Sequence, residues 1–70
     1  MEDLLQKKVG KRIKAIRLEK KITQQDLADL CGYDISSISR LEAGRANATL
    51  STLHIVSNAL GIEPVEFFKF

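Results

Sequence analysis

The 70-residue sequence is poor in the residues that crosslink small proteins. It has one cysteine, Cys31, and one histidine, His54, so it lacks both the thiol pair of an intrachain disulfide and a cluster of metal ligands. We therefore expect no metal and no other cofactor, and a fold that is stabilised by apolar packing. A single thiol also fits a reducing compartment.

Long apolar runs are absent as well. No segment approaches membrane-spanning length, and the N-terminal residues MEDLLQKKVG lack the basic region followed by an apolar stretch that a signal peptide needs. We therefore expect a cytoplasmic protein with no membrane partner. With 44% hydrophobic and 29% charged residues, the composition is globular, and the length suits a single domain over residues 1–70.

The formal net charge is only +2, but the charge is unevenly distributed. Basic residues are concentrated in the first 21 positions, at Lys7, Lys8, Lys11, Arg12, Lys14, Arg17, Lys20 and Lys21. Residues 46–70 carry one base, Lys69, against Glu63 and Glu66. The basic end either binds a polyanion or is a solvated helix face.

The spacing of apolar residues predicts an all-α fold of five helices. The first predicted helix runs from Leu4 to Lys21 and carries apolar residues every three or four positions, at Leu5, Val9, Ile13 and Ile16. Three more helices begin after residues that favour helix N-caps and end at glycines. The caps are Thr23, Asp34 and Thr49, and the glycines are Gly32, Gly44 and Gly61. Pro64 suits the first turn of a short fifth helix.

Each of the middle helices has an apolar stripe that we expect to face inward. The stripe residues are Leu27, Leu30 and Cys31 in the second helix, Ile35, Ile38 and Leu41 in the third, and Leu50, Leu53, Val56 and Leu60 in the fourth. Only a short turn separates the second helix from the third, which predicts a steep crossing of the two helices.

The segment from Gln24 to Leu41 reads QQDLADLCGYDISSISRL. Ala28 is small where two helices would cross, and Gly32 stands where the turn needs a positive φ. With its flanks, over residues 13–68, this segment resembles the phage-repressor (Cro/CI-like, XRE) family of helix-turn-helix proteins and is similar to restriction-modification controller proteins. The resemblance implies a compact five-helix repressor-like domain with its helix-turn-helix at residues 23–44, which binds double-stranded DNA.

The resemblance also implies residue roles. Base edges would be contacted by Ile35, Ser36, Ser39 and Arg40, and backbone phosphates by Gln24, Arg45, Asn47 and Lys14. The guanidinium of Arg40 suits a two-bond contact with guanine. Ile35 either touches a thymine methyl group or packs under Tyr33, and Asn47 is either a phosphate ligand or a turn residue. Because this surface has few long polar side chains, readout of DNA shape is an alternative to base readout.

Further residues have structural roles in this interpretation. The resemblance pairs Arg17 with Glu42 as an ion pair that joins the first and third helices. His54 has no catalytic partner in the sequence, so we expect a surface or partly buried histidine and no enzyme activity.

The C-terminus is unusually apolar, with Val65, Phe67, Phe68 and Phe70 in six residues. These side chains either complete the core of one chain or form an interface. We expect a homodimer that reads a palindromic operator, with Leu60, Ile62 and Phe68 at its interface. The predicted function is a sequence-specific transcriptional regulator. The alternatives are an antitoxin whose partner is a toxin protein, and a protein-interaction module with a helix-turn-helix fold.

Overall fold

The computed structural model describes the backbone of residues 2–70 and the side chains of residues 4–70. Its elements follow in the order α1 (Glu2–Glu19), α2 (Gln24–Cys31), α3 (Ile35–Glu42), α4 (Leu50–Leu60) and a 3₁₀ helix (Pro64–Phe68). Residues 2–70 contain no β-strand. The all-α prediction is confirmed, with the fifth helix in the tighter 3₁₀ form and proline in its first turn.

Capping residues set most helix boundaries where the sequence predicts them. The hydroxyl of Thr23 accepts a bond of 3.0 Å from the backbone N–H of Asp26, whose carboxylate accepts one of 3.2 Å from the backbone N–H of Thr23. This reciprocal capping box starts α2. Thr49 caps α4 through a bond of 3.1 Å from the N–H of Thr52. Asp34 precedes α3 as predicted, but its side chain makes no capping bond.

The core is one cluster of apolar side chains drawn from all five elements. It consists of Val9, Ile13, Ile16, Leu27, Ala28, Ile38, Leu41, Leu53, Val56, Leu60 and Phe67. Phe67 is completely buried and attaches the 3₁₀ helix to the body of the domain. Cys31 is half-buried at the end of α2, and this burial raises the pKa of its thiol.

Several expected inward-facing residues are exposed instead. Leu30 is 62% exposed, because α2 packs against the core through Leu27 and Ala28. Leu50 is 85% exposed, since it is the first residue of α4 and the buried stripe of that helix begins at Leu53. A similar correction applies to Leu5, which is also exposed. Ile35 and Val65, for which the sequence left both a buried and an exposed position open, are exposed as well.

Gly10 allows α1 and α3 to approach each other closely. A Cβ atom at this position would lie 2.5 Å from the carbonyl oxygen of Leu41 and 2.6 Å from that of Glu42. Only a residue without a side chain fits this contact. The apolar spacing of α1 gave no sign of the role of Gly10, because the contact is between distant parts of the chain.

Arg12 secures the C-terminal segment against α1, and Lys69 binds the same glutamate from within that segment. The Nε of Arg12 donates a bond of 2.9 Å to the carbonyl oxygen of Glu66. Lys69 donates a bond of 2.8 Å to the Glu66 carboxylate, which holds the pKa of that carboxyl below its usual range, with Arg12 contributing at longer distance. None of the helices in the described chain is long and apolar enough to span a membrane.

We predict that Gly10→Ala lowers the free energy of unfolding by about 1–3 kcal/mol, because the added methyl group overlaps backbone atoms that have no room to move. In an ordinary helix interior the same change stabilises by about 0.5–1 kcal/mol. Urea denaturation followed by circular dichroism measures the difference. Gly32→Ala is the matched control, since its added Cβ meets nothing within 4 Å and costs only the strain of a positive φ. A Gly10→Ala protein more stable than the wild type would show that α1 and α3 do not approach this closely.

Candidate nucleic-acid interface

The turn between α2 and α3 is short, because α2 ends at Cys31 and α3 begins at Ile35. Gly32 has a φ of 74°, in the left-handed region, and the N–H of Tyr33 donates a bond of 2.9 Å back to the carbonyl oxygen of Ala28. Ala28 is completely buried in the core. The short turn and the small residue together project one side of α3 away from the body of the domain.

That side of α3 carries the residues expected to read DNA bases. The buried residues of the helix are Ile38, Leu41 and Glu42. The opposite face is exposed and consists of Ile35, Ser36, Ser39 and Arg40. The structure therefore brings all four predicted base-contacting residues together on one exposed helix face.

The residues expected to contact phosphates flank this face. Gln24 is half-buried at the first position of α2, Arg45 and Asn47 are exposed in the loop after α3, and Lys14 is exposed on α1. The side-chain amide of Gln6 donates a hydrogen bond to the side-chain oxygen of Asn47, so α1 holds the loop in place. Sequence reasoning missed Gln6, whose partner lies far along the chain.

Arg17 and Glu42 form a buried ion pair behind this surface. The Nε of Arg17 lies 2.6 Å from Oε2 of Glu42 and its Nη2 lies 3.1 Å from Oε1, a two-bond arrangement. The third guanidinium nitrogen donates a bond of 2.8 Å to the carbonyl oxygen of Ile22. The two side chains are only 6% and 3% exposed.

Gln24 belongs to the same network. Its Nε2 donates a bond of 3.0 Å to Oε1 of Glu42. Both atoms of the carboxylate are thus occupied, and the amide of Gln24 is held in one orientation at the start of α2. This bond was not predicted from the sequence, which indicated only a phosphate contact for Gln24.

A cleft of about 190 Å³ runs beside α3. Its lining residues include Tyr33, Ser37 and Asn47. Their hydroxyl and amide groups could form hydrogen bonds with a polar ligand beside the helix. Tyr33 and Ser37 were not among the predicted contacts.

His54 is exposed on α4, with its Nε2 3.3 Å from the Nδ2 of Asn58. The described residues contain no group of three or more side chains suited to hold a metal ion.

The three residues expected at a dimer interface have different surroundings. Phe68 is 43% exposed and Ile62 is half-buried, so both reach the surface. Leu60 is only 3% exposed and belongs to the core of the single chain. The expectation for Leu60 is therefore corrected: it supports this surface from beneath and does not form it.

Comparison with known proteins identifies this geometry. The family model described as "Helix-turn-helix" matches residues 13–67. The chain belongs to the helix-turn-helix family of DNA-binding transcriptional regulators. The XRE resemblance seen in the sequence is thereby confirmed.

Relatives of the helix-turn-helix chain include regulators from phages and bacteria. It is 49% identical over 55 residues to the immunity repressor protein of Bacillus phage phi105, covering 79% of this chain but only 38% of that repressor's length. It is 34% identical over 62 residues to the control protein C.BamHI of Bacillus amyloliquefaciens, covering 87% of this chain and 76% of that protein. The structure of the restriction-modification controller protein C.AhdI from Aeromonas hydrophila superposes with a TM-score of 0.86 at 37% identity, covering 89% of this chain and 94% of that one.

We predict that Glu42→Ala lowers the free energy of unfolding by about 3 kcal/mol or more, because it leaves the buried Arg17 guanidinium without a counter-charge. Chemical denaturation measures the loss. Glu66→Ala removes a more exposed ion-pairing carboxylate and is the control, for which we expect a much smaller effect, because water screens exposed ion pairs. An unchanged denaturation midpoint for Glu42→Ala, together with lost DNA binding, would instead place Glu42 among the DNA contacts.

Proposed function

We propose that this chain is a sequence-specific regulator that binds double-stranded DNA as a homodimer and controls transcription in the cytoplasm. The observation that carries the proposal is the exposed face of α3, with Ile35, Ser36, Ser39 and Arg40 on one side of a helix whose other side is buried. A helix held this way fits the major groove, where base edges present their donors and acceptors. The names of the relatives, a repressor and control proteins, support the same class of function.

Arg40 is the residue that we assign to base recognition. It is exposed in the last turn of α3, and its planar guanidinium suits the O6 and N7 atoms of guanine. Ser36 and Ser39 are on the same face, and each hydroxyl can donate or accept. Ile35 is 45% exposed, which supports contact with a thymine methyl group.

Gln24 and Arg45 are the residues that we assign to backbone phosphates, on either side of α3. The carboxylate of Glu42 takes one N–H of the Gln24 amide. The amide retains a second N–H, and N–H groups in the first turn of α2 have no acceptor within the helix. Such a helix start suits a phosphate oxygen. Arg45 adds a positive charge, and Lys14 adds another from α1.

The C-terminal surface around Ile62 and Phe68 is our proposed dimer interface. A two-fold dimer through this surface would present two α3 helices to a palindromic operator, with half-sites about 34 Å apart. The exposed ring of Phe68 and the half-buried side chain of Ile62 are apolar area that a second chain would remove from water.

Binding to DNA is tested by measuring affinity against salt. A dimer with about 6 phosphate contacts should lose roughly a thousandfold in affinity between about 50 and 200 mM salt. Arg45→Ala should weaken binding to all sequences alike and reduce this dependence, because it removes a phosphate contact. Arg40→Ala should instead relax the preference at one base pair per half-site, by about 1–3 kcal/mol for each two-bond interaction with guanine that it removes.

Operators selected from a random DNA library supply the sequences for this comparison, and Lys20→Ala, a change of one exposed charge outside the proposed contacts, is the control. Unchanged ratios between operator variants for Arg40→Ala would remove Arg40 from base recognition. Affinity that does not depend on salt, or no binding to any duplex, would support the protein-interaction module.

The dimer is tested by sedimentation at micromolar concentration. Phe68→Asp should give a folded monomer, because it places a charge in the proposed interface. Leu18→Asp makes the same change at an apolar residue of α1 that is 56% exposed and lies outside the C-terminal segment, and it should leave the dimer intact. A Phe68→Asp protein that dimerises like the wild type would exclude this surface.

A further inference from the structure

A cleft on the far side of α1 has a basic rim and an apolar floor. Its volume is about 260 Å³, and it lies between α1 and the C-terminal segment. We call it the basic cleft, and its lining consists of Lys8, Lys11, Arg12, Ala15, Lys69 and Phe70. The proposed DNA contacts do not use any of these residues.

The charge of the basic cleft is strongly positive. Four of its lining residues are cations, and the carboxylate that contacts them in the described chain is Glu66, which meets Arg12 at 3.7 Å and Lys69 at 2.8 Å. Four positive charges minus one negative charge leave a local charge of +3. An anionic group would therefore be attracted to the rim, most directly to Lys8 and Lys11.

The floor of the basic cleft is apolar. It is formed by Ala15 and the ring of Phe70, which is 62% exposed. The ammonium group of Lys8 lies 5.4 Å from the centre of this ring, and Phe68 meets it edge-on at 6.4 Å between ring centres. A nucleic-acid backbone would neutralise the charges of the rim but leave the apolar floor exposed to water. An apolar side chain flanked by carboxylates matches both parts.

Most of the basic cleft lies on the side of α1 that is opposite its contact with α3; Lys11, three positions from Lys14, forms the edge nearer to the proposed DNA contacts. On α1, Gly10 contacts the end of α3, whereas Arg12 contacts the C-terminal segment. Lys8, Lys11 and Ala15 lie on the same side of the helix as Arg12. An occupant of the cleft would therefore not compete with DNA for α3.

The same chain carries a surface with the complementary chemistry. The exposed face of α2 presents Asp26, Asp29 and Leu30, which are three and four positions apart and so share one side of the helix. Leu30 is 62% exposed, although the apolar spacing predicts it to be inside. Gln25 binds one oxygen of Asp29 at 2.9 Å, which holds this carboxylate at the surface. We call these three residues the acidic face of α2.

We infer that the acidic face of α2 in one copy of this chain docks into the basic cleft of another copy. Leu30 enters toward Phe70, and the carboxylate of Asp29 meets Lys8 and Lys11. The contact joins two different surfaces, so it is head-to-tail and extends to further copies unless the rotation closes a ring. It depends neither on DNA binding nor on the proposed C-terminal dimer. It explains both the exposed Leu30 and a cationic cleft that the recognition helix α3 does not use.

Sedimentation velocity from micromolar to about 1 mM protein tests this contact, because an interface this small is weak. We expect the mean mass of the wild type to grow with concentration beyond its smallest species, whether that species is a monomer or a dimer. Raising the salt should reduce the growth. Lys11→Glu and Asp29→Lys should each lower the association constant by about tenfold or more, since each replaces an attraction with a repulsion.

Combining the two changes gives the decisive comparison. The double variant Lys11→Glu with Asp29→Lys restores opposite charges across the contact and should recover the association of the wild type. An equimolar mixture of the two single variants should also associate, in alternation. The control double variant Lys20→Glu with Asp29→Lys has the same net charge, but it does not place opposite charges across the contact. Its association should therefore stay weak. Leu30→Ser should weaken the assembly, whereas Leu18→Ser, at another exposed leucine, should not.

Three results would overturn the inference. One is a mean mass that does not change up to about 1 mM, which would exclude a second copy as the occupant. Another is equal recovery by the two double variants, which would reduce the effect to net charge. The third is a loss of duplex DNA affinity in Lys11→Glu as large as that in Arg45→Ala, with association unchanged, which would make the cleft a phosphate site. Binding of operator DNA by the single variants is measured in parallel, so failure of the proposed function is seen separately.

Discussion

The ion pair between Arg17 and Glu42 fixes the relative positions of the first three helices. One guanidinium binds the carboxylate from the end of α3 with two nitrogens, and it binds the carbonyl oxygen of Ile22 in the α1–α2 turn with the third. Gln24 adds a bond from the start of α2. A buried charge without its partner costs several kcal/mol, so the arrangement is stable only when all these groups are in place. This network therefore sets the orientation of α3 and of its exposed face.

The short distances in this network depend on how closely the backbones approach. Gly10 lets α1 lie against the carbonyl groups of Leu41 and Glu42, and a side chain there would push α3 away. Gly44 has a similar role about one turn earlier along α1, where an added Cβ would lie 2.7 Å from Cα of Lys7. An ion pair with 2.6 Å between Nε and Oε2 tolerates little displacement. The two glycines and the ion pair therefore depend on each other. The glycines let α1 and α3 pack closely enough for the ion pair to form, and the ion pair keeps the two helices together.

The parts of this structure that are local in sequence were predictable, and those that depend on distant partners mostly were not. The capping box of Thr23 and Asp26 involves residues three positions apart, so the chain encodes the start of α2 on its own. Leu30 and Leu50 were placed inside because apolar spacing identifies a stripe but not which part of it another helix will cover. The bond from Gln24 to Glu42 spans 18 positions, and no pattern marks it. The family resemblance supplied the one long-range feature that was anticipated, the pairing of Arg17 with Glu42.

The exposed apolar residues are distributed in a way that lets the proposed contacts coexist. Ile35 is on the face assigned to DNA, Phe68 is at the C-terminal surface, and Leu30 is on the outer side of α2. Burying an aliphatic or aromatic side chain of this size contributes about 1.5–3 kcal/mol, which a domain with a small core forgoes at each of these positions as long as it stays alone. The three residues lie on three separate elements: α3, the 3₁₀ helix and α2. The rigid network behind α3 then has a further consequence. It keeps the exposed groups at fixed positions relative to one another, so contacts at the remote surfaces need not disturb the helix that faces DNA.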